Sequence, residues 1–87
     1  MSMDDKFYKL NKELQQSVKL EMEKVKKGES TKSLSQLSLI LSELEKSYDT
    51  PNMNLSFPRV IVDSWDYSDE LGVKLIIFAD QYKNIKW

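Results

Sequence analysis

Two residue types are missing from this sequence of 87 residues altogether, cysteine and histidine. Without thiols there is no disulfide, no thiolate metal ligand and no cysteine nucleophile. That composition suits a reducing compartment, so we expect a cytoplasmic protein. Without imidazole the commonest general base and the commonest metal ligand are gone, and with them every triad that depends on one. Long apolar runs are missing too. The longest, Leu75 to Ala79, is far too short to cross a bilayer, and the N-terminal MSMDDKFYKL has no apolar run followed by a small-residue cleavage site. Neither a membrane span nor a signal peptide is expected.

Charge of one sign is also lacking. Lys and Arg number 13 against 14 Asp and Glu, a net charge of -1 that provides no overall field to gather nucleic acid or an anionic membrane. What is present is apolar material for one core: 40% of the residues are hydrophobic, too many for a disordered chain. A chain of this length buries only about 60 to 65% of its unfolded surface and has nothing left for a second core, so residues 1–87 read as a single small domain.

The patterning is helical. Phe7, Leu10, Leu14, Val18, Met22 and Val25 recur at steps of three and four, one stripe of a helix over about residues 4–27. Asp4 and Asp5 at its start and Lys24, Lys26 and Lys27 at its end suit the helix dipole, and Gly28 supplies a left-handed stop. Leu34, Leu37, Leu41, Leu44 and Tyr48, widened by Ile40, mark a second helix over about 32–48, with Ser33 and Gln36 spaced as a capping box. So short a connection makes the pair an antiparallel hairpin. The prolines and asparagines of DTPNMNLSFP give a loop over about 49–58, and RVIV, within about 59–63, reads as an extended lead-in. Leu71, Leu75, Phe78, Tyr82 and Ile85, with Ile76 and Ala79 beside them, predict a last helix over about 67–85. The expected fold is therefore all-α, a small bundle of a helical hairpin plus a C-terminal helix. The alternative is α+β, with RVIVDSW and VKLIIFA paired as a C-terminal β-hairpin on the two helices.

The same residues exclude most chemistry. Paired carboxylates or a desolvated lysine would need a pocket, and a domain this small leaves little room for one, so no enzyme and no catalytic residue is expected. Asp66, Ser68 and Glu70 alternate like the first ligands of a calcium loop, but Gly72 falls one place late and Ile77 stands where a bidentate Glu belongs. No metal and no cofactor is expected. Lys6, Lys9, Lys12, Lys19, Lys24, Lys26 and Lys27 could follow a phosphate backbone, yet Glu13, Glu21 and Glu23 interleave with them as on an ordinary solvated face.

One stretch departs from this even mixing. Between residues 60 and 72 the acids Asp63, Asp66, Asp69 and Glu70 surround Trp65 and Tyr67 without a Lys or Arg among them. One account is structural: Asp66 or Ser68 caps the last helix, Asp69 and Glu70 complement its dipole, and Trp65 plugs the core. The other makes Asp63, Trp65, Asp66, Tyr67, Asp69 and Glu70 a partner-binding surface, where aromatic rings provide anchoring area and carboxylates steer a basic protein. Asp63 separates the two, because it precedes any helix start and the structural account gives it no task. The function this implies is a small protein-binding module, of the kind a bacterial inhibitor or immunity protein uses to neutralise a basic partner. Competing with it are a helical self-association module, in which a second copy covers the long apolar stripes as a homodimer, and a weak nucleic-acid-binding regulator.

Overall fold

Four helices form in a computed structural model that describes residues 2–50, 54–66 and 68–84, with the backbone alone described for residues 2–5 and for Asp49. They are α1 (Ser2–Lys26), α2 (Leu34–Asp49), α3 (Phe57–Ser64) and α4 (Glu70–Asn84). The all-α expectation holds. No strand occurs among the described residues, and residues 73–79, which the β-hairpin alternative would pair, lie inside α4.

Gly28 ends α1 as expected, at φ +78°. Its N–H donates to the Val25 carbonyl at 3.1 Å and the next N–H, of Glu29, donates to that of Lys24 at 2.8 Å. That pair of bonds is a Schellman stop. Ser33 caps α2, its hydroxyl accepting from the Gln36 N–H at 3.4 Å. α1 packs on α2 and on α4, and α3 packs on the same two helices, so the four close a ring in chain order. The long dimension of the molecule, 41 Å, is set by α1, which spans about 37 Å at ~1.5 Å per residue.

The core holds Phe7, Leu14, Val18, Leu37, Leu44, Leu75, Phe78 and Tyr82 from the three expected stripes, joined by Ile40, Phe57 and Ile61. Phe7 stacks on Phe78 and Tyr82 with ring centroids 5.1 and 5.7 Å apart. The Tyr82 hydroxyl also donates to the Thr50 carbonyl, tying the end of α4 to the end of α2. Leu10 and Leu41 are only half-buried. The inner line of α2 is rotated from the leucine stripe toward Ile40, Glu43 and Ser47, because α2 must face both α1 and α3. Polar residues therefore share the seam. The fully buried Asn11 donates through Nδ2 to the Leu44 carbonyl at 3.0 Å and to Ser47 Oγ at 3.2 Å, while its Oδ1 accepts from Gln15 Nε2 at 2.6 Å.

The extended lead-in expected at 59–63 is a helix instead. RVIV has strand propensity, but the long-range context overrides it. Pro58 sits in the first turn, where its missing N–H costs nothing. Glu43 of α2 caps that turn from another helix: its Oε1 accepts from the N–H groups of Ser56 and Phe57 at 2.8 and 3.0 Å, and its Oε2 accepts from the Ser56 hydroxyl. Phe57 and Ile61 are then buried. Of the expected stripe on the last helix, Leu75, Phe78 and Tyr82 are buried and Leu71 is half-buried, while Ile85 lies outside the described residues.

Candidate functional site

The turn between α3 and α4 carries the acidic aromatic stretch, and its local order follows from two carboxylates. Asp66 Oδ1 accepts from the Ser68 N–H at 2.9 Å and from its hydroxyl at 2.8 Å, folding the turn back on itself. Asp69, not Asp66 or Ser68, is the residue that caps α4: its Oδ1 accepts from the Gly72 N–H at 3.0 Å and its carbonyl from the Val73 N–H at 2.9 Å. Glu70 follows in the first turn, where the helix dipole favours an acid.

Trp65 closes α3, its N–H bonded to the Ile61 carbonyl at 2.9 Å, and its ring is half-buried. The indole Nε1 donates to Gln36 Oε1 on α2 at 3.1 Å. Gly72 lets the ring come close, since a Cβ there would meet Trp65 Cε3 and Ile61 Cγ2, each at 3.2 Å. Trp65 thus plugs the end of the core, as the structural account expected.

The base that the stretch lacks comes from elsewhere in the chain. Lys32, in the connection between α1 and α2, places Nζ 2.7 Å from Asp69 Oδ2 and 3.2 Å from Glu21 Oε2 of α1, and 5.0 Å from the centroid of the Trp65 ring. Ser30 donates to the same Glu21 oxygen at 2.7 Å. Burial works against ionisation of Asp69, but its bonds to Lys32 and the Gly72 N–H, with the Lys32 charge, outweigh it and hold the carboxyl below the usual range. Glu21 is lowered on the same balance, burial against Ser30 and Lys32. Lys32 is raised, burial being outweighed by Asp69 and Glu21. Asp66 is lowered by its bonds from Ser68.

Of the residues expected to bind a partner, then, Trp65 and Asp69 are engaged inside the fold, Tyr67 lies outside the described residues, and Asp63, Asp66 and Glu70 are exposed. Asp63 and Glu70 form no ion pair with any described residue. Next to Asp63 in α3 stands Val62, 70% exposed, the most exposed large apolar side chain among the described residues. Val73 and Ile77 are exposed one and two turns into α4. The sequence reading did not single out these aliphatic residues, although Val62 is marked by its place between Ile61 and Asp63 on so short a helix.

A second feature went unread. A half-open groove of about 540 Å³ lies between the start of α3 and the later turns of α4, lined by Leu55, Pro58, Ile76 and Ala79, with Asp80 and Lys83 among its charged residues. It is a surface groove and not an enclosed cavity, formed because α3 is short and leaves the C-terminal part of α4 uncovered. Among the described residues no group of three or more acids converges as metal ligands do, and no helix is long and apolar enough to cross a membrane. The six lysines of α1 and Lys27 just after it are exposed, Lys26 being 3.5 Å from Glu23 and Lys12 lying 4.8 Å from the centre of the Tyr48 ring. No protein-family model, no curated protein and no solved structure matches the chain.

Proposed function

We propose that this protein is a non-catalytic binding module that holds a basic protein partner on the exposed surface of α3, the following turn and the start of α4. The observation that supports this reading is that Asp63, Asp66 and Glu70 are exposed on the same α3–turn–α4 segment as Val62, where Lys32 is already shared by Asp69 and Glu21 and where Arg59 and Lys74, one turn from Asp63 and Glu70, form no ion pair with any described residue. An apolar centre with an unneutralised acidic rim is the composition of a surface that steers and then anchors a cationic protein. Such binding acts by occupancy, and inhibition of the partner, as an immunity protein inhibits a toxin, is the biological form we propose.

The test is site-specific photo-cross-linking in native lysate with a benzophenone residue at Val62 and, as control, at Leu20 of α1, which is also exposed, at 64%. The expected result is one basic protein captured at Val62, not at Leu20, and lost from the Asp63→Asn, Asp66→Asn, Glu70→Gln triple variant. Equal capture at both positions, or a captured protein indifferent to the triple change, removes the proposal.

The self-association reading drew on the stripes of the first two helices being too long for one chain to cover. Phe7, Leu14, Val18, Leu37 and Leu44 of those stripes are buried within the one chain, while Leu34 is exposed and Leu10, Met22, Val25, Leu41 and Tyr48 are half-buried.

A further inference from the structure

We infer that the groove between α3 and α4 seats a single amphipathic helix of the protein partner, with that helix's basic residues over the α3–α4 turn. The inference rests on the acidic-surface reading above and names what the partner presents.

The groove does not stop at the residues that enclose it. Ile61 and Trp65 lie beside Gly72, while Pro58 shares the groove with Ile76 and Ala79. α3 and α4 are therefore antiparallel and in register. Val62 is one turn beyond Pro58 on the same face of α3, and Val73 is three residues before Ile76 on α4. Together they extend the apolar floor toward the turn. α4 is consequently apolar on both sides: Leu75, Phe78 and Tyr82 face the core, and Val73, Ile76 and Ile77 are exposed at 42%, 36% and 49%. Helices of that kind are ordinarily covered on both sides.

Size decides what covers it. Val73 to Lys83 is about 15 Å of helix at ~1.5 Å per residue, the length of about three turns. Four exposed aliphatic side chains offer on the order of a few hundred Å², whereas each partner in a stable dimer contributes roughly 800 Å². The strip suits one helix laid in a groove, not a second copy of this domain. Charge decides the helix's character. Asp63, Asp66 and Glu70 stand at the turn end, whereas Asp80 and Lys83 offset each other at the opposite end. A helix whose cations lie toward the turn meets those acids, and its other end meets no net charge.

The experiment is a titration of the 87-residue protein, labelled with nitrogen-15, with three synthetic peptides: a helical Leu/Lys peptide, its Leu/Glu counterpart, and a scramble of the Leu/Lys composition with no apolar stripe. The Leu/Lys peptide is expected to shift the amides of Val62, Val73, Ile76 and Ala79 together with those of residues 63–70. It should bind at least 10-fold more tightly than either other peptide, and Ile76→Asp or Val62→Asp should weaken it at least 10-fold while Leu20→Asp leaves it unchanged. Equal binding of the scramble, with shifts confined to residues 63–70, overturns the groove and leaves the acidic surface standing. Equal binding of the Leu/Glu peptide in the groove overturns the acidic surface itself. Concentration-dependent shifts of the groove residues without peptide, with a doubled mass in sedimentation, would put a second copy there and overturn the partner helix. No binding by any of the three peptides removes the inference.

Discussion

The two ends of α2 handle polar groups in opposite ways. Toward its C-terminus, in the seam with α1, Asn11, Gln15 and Ser47 are buried and satisfy one another and the Leu44 carbonyl. Toward its N-terminus, where Gln36 meets Trp65 and Lys32 meets Asp69, each bond made inward has an acid beside it left facing water. A closed network fixes how two helices align, because a slip would strand buried donors and acceptors. A half-closed one fixes the backbone of a turn while leaving carboxylates available. The seam therefore serves the fold, and the turn serves the fold and has charge to spare.

The largest expected effect tests that contrast directly. Leu44 is fully buried in the seam, so Leu44→Ala should cost about 2 to 5 kcal/mol in chemical denaturation. Val62→Ala, at the open end, should stay within about 0.5 kcal/mol. Similar losses at the two positions would show that the open end is as much a part of the core as the seam.

Leu44 also shows how far the sequence could be read. Its stripe was plain, and so were those of α1 and α4 and the glycine stop, because each depends on residues within one or two turns of one another. The rotation of α2 was not legible, since the residues that complete its inner face, Glu43 and Ser47, are polar and break the apolar pattern. α3 was hidden for the same reason: its N-terminal cap is Glu43, 13 and 14 residues upstream of the groups it accepts from. At the candidate site the acids and Trp65 stood out by composition, but the counter-ion did not. Lys32 is 37 positions from Asp69, and no spacing rule connects them.

The next effect in size belongs to that counter-ion. Lys32→Met keeps an aliphatic chain against Trp65 and leaves the carboxylates of Asp69 and Glu21 without their charged partner, at a cost of about 1 to 3 kcal/mol. Its pH dependence follows from the directions of the shifts. Asp69 and Glu21 are lowered, so their contribution is present above their unfolded values, near 4, and is lost as pH falls through the lower folded values. Lys32 is raised, so its contribution is present below its unfolded value, about 10.4, and is lost as pH rises through the higher folded one. The stability difference between wild type and Lys32→Met should be a plateau between these limits, narrowing below about pH 4 and above about pH 10.4. A difference that keeps its full size at pH 2 would mean that packing on Trp65, not the ion pairs, is what Lys32 provides.

Gly72→Ala sets two smaller terms against each other. Alanine gains about 1 kcal/mol of helix propensity over glycine, but its Cβ would sit 3.2 Å from Ile61 and Trp65. The Trp65 ring is held by Gln36 and flanked by Lys32, so it has little freedom to move aside, and overpacking of this kind costs about 1 to 3 kcal/mol. A net loss of up to about 2 kcal/mol is expected, with a changed Trp fluorescence spectrum. Stabilisation would show that the plug is looser than its contacts imply.

The smallest expected effect on stability bears most closely on function. Asp63 is exposed on α3 and its side chain forms no hydrogen bond or ion pair with any described residue, so Asp63→Asn should change unfolding free energy by less than about 0.5 kcal/mol. If the surface binds a cationic partner, the same change should slow association and flatten its dependence on salt, because a rim charge acts on encounter more than on the bound state. Stopped-flow association at two ionic strengths against the captured partner measures this, beside denaturation of the free protein. A loss of stability without a change in rate would place Asp63 with the seam residues, as a group whose task is internal. Unchanged stability with slower, less salt-sensitive association would make it the residue at which the open end departs most clearly from the closed one.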